Sequence, residues 1–86
     1  MPSITVYSTR FCPYCTAAKS LLSAKGADYN EIAVDSDPQL RLEIAERSGQ
    51  RTVPQIWINE DHIGGYSELA ALEGSGTLDE LLSPQG

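Results

Sequence analysis

Near its start the chain passes from a β-forming run into an amphipathic helix, and both of its cysteines stand at that junction. Ile4-Thr5-Val6-Tyr7 is β-branched and aromatic, which suits a half-buried strand. Ser8-Thr9-Arg10-Phe11 reads as a loop. Pro13 fits a first helical position, where its missing N–H and fixed φ cost little. Tyr14, Ala17, Ala18, Leu21 and Leu22 then recur at the spacing of one helical face. Lys25 and Gly26 supply a stop, so the pattern predicts a helix over about residues 13–25 with Cys12 at its N-terminal lip. A second strand at Tyr29–Val34 would lie parallel to the first through a right-handed crossover.

The remainder continues the alternation. Asp35-Ser36-Asp37-Pro38 offers a cap and a proline for a second helix, with Leu40 and Ile44 on its inner face and Gly49 closing it. Gln55-Ile56-Trp57-Ile58 is a third strand, Asn59-Glu60-Asp61 a turn, and His62-Ile63 the start of a short fourth strand ending at Gly64-Gly65. Ser67 is expected to cap a helix through Leu72. Thr77-Leu78-Asp79-Glu80 has capping-box spacing for a short final helix. The expected order is β-α-β-α-β-β-α plus that helix, with residues 55–64 as a hairpin.

Composition narrows the function. Eighty-six residues fit one domain, taken as 1–86. A net charge of −6, with Arg10, Lys19, Lys25, Arg41, Arg47 and Arg51 scattered along the chain, argues against nucleic acid as partner. No apolar stretch approaches the ~20 residues of a membrane span. Met1-Pro2-Ser3-Ile4-Thr5-Val6 lacks the basic and apolar regions of a secretory signal, so a cytoplasmic location is expected. Two cysteines cannot make the disulfide framework of small secreted domains, and in a reducing compartment a close pair is more often catalytic or metal-binding.

Cys12-Pro13-Tyr14-Cys15 has the spacing for thiol–disulfide exchange. The free N–H groups and positive dipole end of a helix start favour a thiolate, which is the form that attacks disulfides. Cys15 lies one turn deeper, and Cβ atoms at that separation are ~5–6 Å apart, within reach of disulfide geometry. One sulfur is thus exposed while its partner waits behind it, as attack and resolution require. Zinc would need further ligands, and only His62 is a soft candidate, so no metal site is expected. A structural disulfide closing so short a loop would restrain the unfolded chain little.

These residues resemble a known family. Cys12-Pro13-Tyr14-Cys15, Thr52-Val53-Pro54-Gln55 and Gly64-Gly65-Tyr66-Ser67-Glu68-Leu69 look like the three signatures of classical dithiol glutaredoxins of the short bacterial type, over essentially the whole chain. The resemblance implies an α/β thioredoxin fold, a four-stranded mixed sheet flanked by helices. It implies a glutathione-disulfide oxidoreductase that reduces protein disulfides and glutathione mixed disulfides, with Cys12 as nucleophile and Cys15 as resolving thiol. Glutathione would be a co-substrate, with no permanently bound cofactor. The other partners would be disulfide-bonded or glutathionylated proteins, met by a monomer.

The resemblance also implies a binding site. A cis Val53–Pro54 bond would turn the Val53 backbone toward Cys12, to pair with the cysteinyl part of glutathione beside Thr52; the plain alternative is a proline at a strand start. Gly65, Tyr66 and Ser67 at a helix front would hold the γ-glutamyl carboxylate, with Glu68, where many relatives have Asp, on its α-amino group. Tyr14 is either part of the helix's inner face or a ring lining the groove, and the family pattern favours the groove. Arg41 matches the position that contacts the glycyl carboxylate, with Arg51 or Gln50 as a second candidate. Thr9 stands where the family has lysine, and Arg10 is expected to add positive potential near Cys12 instead. Two rivals remain: a thioredoxin-like protein served by a flavoenzyme, which the absence of Trp before Cys12 disfavours, and a [2Fe–2S]-bridged dimer, which Pro13 and Cys15 disfavour.

Overall fold

The computed structural model describes residues 2–82. Strand β1 (Ile4–Ser8) alternates fully and partly buried residues, as a strand between two layers should. It pairs in parallel with β2 (Asn30–Ala33), Val6 opposite Glu31, and antiparallel with β3 (Gln55–Ile58), Val6 opposite Ile56. β3 pairs antiparallel with β4 (Asp61–Gly64), giving one sheet in the order β2-β1-β3-β4. The expected crossover and hairpin are both present. This is a thioredoxin-like fold.

Helices α1 (Pro13–Ala24), α2 (Pro38–Ser48), α3 (Tyr66–Ser75) and α4 (Thr77–Leu82) flank the sheet. Ile4 and Val6 of β1 and Ile56 and Ile58 of β3 share one face and pack with Ala18, Leu22, Leu69 and Leu78 from α1, α3 and α4. The other face carries Tyr7 and Trp57, edge to face at 5.4 Å. The Arg47 guanidinium of α2 lies 4.7 Å from the Trp57 ring. No helix among the described residues is long and apolar enough to cross a membrane.

Local chemistry sets the boundaries. Asp37 caps α2 by accepting the Leu40 N–H at 3.1 Å, and Gly49 closes it. The last turn of α1 closes through Gly26 at φ 71°, with the Ala27 N–H on Leu22 O and the Gly26 N–H on Ser23 O, both 3.0 Å. That double bond pattern needs a left-handed residue and favours glycine.

Two cap expectations are corrected. Ser67 does not cap α3; the helix begins at Tyr66 with Gly65 as its cap residue. The Glu68 carboxylate reaches back to accept the Gly65 N–H at 2.7 Å, half of a capping box that needs no hydroxyl. The helix also runs to Ser75 rather than Leu72, where Lys25 grips Glu73 at 2.9 Å and also pairs with Asp79 of α4. Thr77 is the first residue of α4 itself, and its hydroxyl meets Ser75 Oγ at 2.8 Å instead of capping. Asp61, expected in the turn, already belongs to β4.

Candidate active site

Cys12 follows the β1 loop as the cap residue of α1, in extended backbone conformation. Its sulfur accepts the Cys15 N–H at 3.2 Å, so a free amide of the first helical turn points at it. The Cys12 thiol donates to the Val53 carbonyl at 3.6 Å. Only the protonated sulfur can make that second contact; the amide contact serves thiol and thiolate alike.

Cys15 is 1% exposed, and both thiols are free. Burial pushes its thiol up to about 12, and the hydrogen bond to Cys12 adds to the rise. Lys19, one turn further along α1, opposes that shift with its charge. Lys19 is anchored by Glu31 at 2.7 Å, which also accepts the Ser8 hydroxyl at 2.8 Å. Those bonds, the Lys19 one foremost, hold the Glu31 carboxyl below its usual range.

Beside Cys12 opens a groove of about 290 Å³ lined by Tyr14, Gln50, Thr52, Val53, Pro54, Gly65, Tyr66, Ser67 and Glu68. Tyr14 and Tyr66 form one wall, their rings 6.3 Å apart and tilted by 31°. Tyr14 is 64% exposed, so it lies on the groove rather than in the core. The Val53–Pro54 bond is cis, as the resemblance implies. Tyr66 belongs to the front of α3, whose Gly65, Ser67 and Glu68 line the groove together with the Thr52–Pro54 loop. Gly64 has φ 116°, and a Cβ there would fall 2.6 Å from Glu68 Oε1, so both conformation and space require glycine.

Eight expected binding residues therefore converge: Tyr14, Thr52, Val53, Pro54, Gly65, Tyr66, Ser67 and Glu68. Arg10 and Arg41 are not among the lining residues. Arg10 lines a separate cleft with Ser8, Lys19, Glu31 and Asp35, its backbone N–H held by Asp35 at 3.2 Å. Arg41 lies with Arg51, Pro38, Leu42 and Ala45 in a depression on α2. The 50–52 loop divides the two sides, with Gln50 and Thr52 toward the groove and Arg51 toward α2.

Sequence reasoning missed the hydrogen bonds by which Gln55 ties the 50–52 loop to β3. This side chain is fully buried and donates to Gln50 Oε1 at 3.1 Å, Thr52 O at 2.9 Å and Thr52 Oγ1 at 3.3 Å. The available signal was an amide in an otherwise apolar strand, because a buried amide must find partners.

Comparison with known proteins agrees with this geometry. The family model described as Glutaredoxin matches residues 4–63. A glutaredoxin of Pseudomonas aeruginosa is 55% identical over 83 residues, covering 96% of this chain and 99% of the relative. Glutaredoxin 3 of Escherichia coli is 46% identical over 82 residues, covering 95% and 99%. Among solved structures, a buckwheat glutaredoxin–glutathione complex superposes with TM-score 0.89 at 31% identity, covering 94% of this chain and 76% of that one. The Brucella melitensis glutaredoxin gives TM-score 0.87 at 50% identity, covering 95% and 89%.

Proposed function

The chain belongs to the glutaredoxin family and is a thiol–disulfide oxidoreductase with a cysteine pair, and on that premise we propose that its electrons come from glutathione. The observation that carries this reading is the groove beside Cys12, walled by the Thr52–Pro54 loop and the front of α3. A tripeptide laid along it would pair its cysteinyl backbone with Val53 in the manner of an added strand. Its γ-glutamyl carboxylate would meet the first-turn N–H groups of α3 and the Ser67 hydroxyl. Glu68 already spends one carboxylate oxygen on the Gly65 N–H, which leaves the other for the ligand's α-amino group. Arg41 and Arg51 would act from the outer side, and Arg10 from the neighbouring cleft, as long-range positive charge. The buckwheat glutaredoxin solved in complex with glutathione supports glutathione as the ligand class.

The exchange runs by sulfur displacement. The Cys12 thiolate attacks the glutathione sulfur of a mixed disulfide; the old S–S bond breaks and the protein thiolate leaves. A second glutathione thiolate then attacks the new disulfide, releasing glutathione disulfide and regenerating Cys12. With a protein disulfide, the Cys12 thiolate breaks the S–S bond, forms a mixed disulfide with one substrate sulfur and releases the other as a thiolate. Cys15, its proton passing to that thiolate, then attacks the Cys12 sulfur and expels the remaining substrate sulfur as a thiolate. Two glutathiones then reduce the Cys12–Cys15 bond. The setting this requires is a reducing compartment such as the cytoplasm, and a monomer suffices.

The test is glutathione-coupled turnover of wild type, Cys12→Ser and Cys15→Ser. Cys12→Ser is expected to abolish deglutathionylation and dithiol reduction alike. Cys15→Ser is expected to keep the first and lose the second. Equal losses in both variants would contradict these roles.

A further inference from the structure

The Thr52–Val53 wall of the groove beside Cys12 is tied from behind by the Gln55 amide, while Ser48 Oγ holds the Gln50 backbone where the loop begins. The Thr52 carbonyl can only accept a hydrogen bond, so the Gln55 atom 2.9 Å from it must be the NH₂ group. That fixes the amide orientation, and the Gln55 oxygen then faces His62 Nε2 at 2.7 Å. An amide oxygen cannot donate, so His62 must carry its hydrogen on Nε2. His62 is itself placed by the Trp57 ring, 4.6 Å away. The amide is therefore engaged at both ends, between the outer strand β4 and the 50–52 loop.

The Thr52–Val53 peptide is trans, the cis bond being the next one. In a planar trans peptide the C=O and N–H point in opposite directions. The Thr52 C=O points at the buried Gln55 amide, so the Val53 N–H points away from it, toward the groove that Val53 lines. The Val53 carbonyl meanwhile reaches the Cys12 sulfur. That carbonyl belongs to the next, cis peptide. A freely rotating Thr52–Val53 peptide would present the Val53 N–H in many orientations, and a clamped one presents it in one.

We infer that Gln55, braced by His62, is a positioning residue that sets the orientation of the Val53 N–H and thereby selects glutathione-containing disulfides. This rests on the reading of the groove as the glutathione site. The residue touches neither substrate nor reacting sulfur. Its contribution therefore belongs to binding and selectivity, not to the sulfur displacement.

The experiment compares a glutathionylated with a cysteinylated peptide as substrate, for wild type, Gln55→Leu and His62→Phe. Gln55→Leu is expected to raise KM for the glutathionylated peptide about tenfold, the loss of roughly one well-placed hydrogen bond, with little change in kcat. Alkylation of Cys12 by iodoacetamide, which needs no groove, is expected to stay within about twofold of wild type, since a chemical step that does not use the clamp is not affected. His62→Phe leaves the core amide in place and is expected to give a smaller rise of about threefold, so the test stands even where Gln55→Leu does not fold. A wild type that prefers the glutathionylated peptide, with a folded Gln55→Leu that keeps the whole preference, overturns the inference alone. If only His62→Phe folds, its retention of the whole preference does the same. A wild type with no preference overturns the glutathione reading and this inference together.

Discussion

Below about pH 9 the Cys15 thiol is protonated whether the chain is folded or not; above it the two states part. Its ordinary value is 9.0, and the folded value is pushed up to about 12 by burial first and the Cys12 bond second. Between those limits the unfolded chain has released the proton and the folded chain has not, so stability falls as pH rises. The contribution is whole below pH 9 and lost by about 12, at roughly 1.4 kcal/mol per pH unit at most. Urea unfolding of the reduced protein from neutral to alkaline pH is expected to show this slope, and Cys15→Ser to lose it; identical slopes would refute the assignment. The unequal positions of Cys12 and Cys15 were readable from four residues, because helix geometry alone puts one at the lip and the other a turn inside. Gln55 was not readable. Its partners Gln50 and Thr52 are near in sequence, but a reversed loop and a hairpin are needed before they and His62 surround one amide.

Among the elements, the front of α3 is the most tightly specified. Glu68→Ala removes the acceptor of the Gly65 N–H and is expected to cost about 1 kcal/mol in denaturant unfolding. Gly64→Ala adds a strained φ, at roughly 1–3 kcal/mol, and drives a methyl into the pinned Glu68 side chain. The double variant is expected to lose less than the sum of the two. Glu68→Ala removes the closest contacts, at 2.6 and 3.0 Å, and leaves the backbone strain, the lost cap and a milder 3.2 Å approach to Cβ. Strict additivity would show that the two residues do not meet. The strands and the first two helices were legible to within a residue or two, since strand alternation, Asp37-Pro38 and Gly49 each carry a local physical signal. The start of α3 was not, because the sequence offers a serine two residues past the true cap and the acceptor comes from the glutamate beyond it.

For the molecule as a whole, topology followed from the crossover and the hairpin, but the groove did not. Cys12 and Val53 are brought together only because β1 and β3 lie antiparallel, Tyr7 opposite Gln55, and no local pattern announces that pairing; here the family resemblance supplied what periodicity could not. The core beneath the pairing is shared by every helix except α2. Leu22→Ala is therefore expected to cost about 2–5 kcal/mol in global stability, read by thermal or urea unfolding, with KM unchanged in the fraction that stays folded. A raised KM would mean that the core deformation reaches the groove. The seam between these two strands also separates two properties of the protein. The sulfur pair is written in neighbouring residues and survives wherever its short helix forms, whereas discrimination among disulfides exists only while distant parts of the chain are sewn together. A damaged copy would thus remain a reductant after it had ceased to be a choosy one.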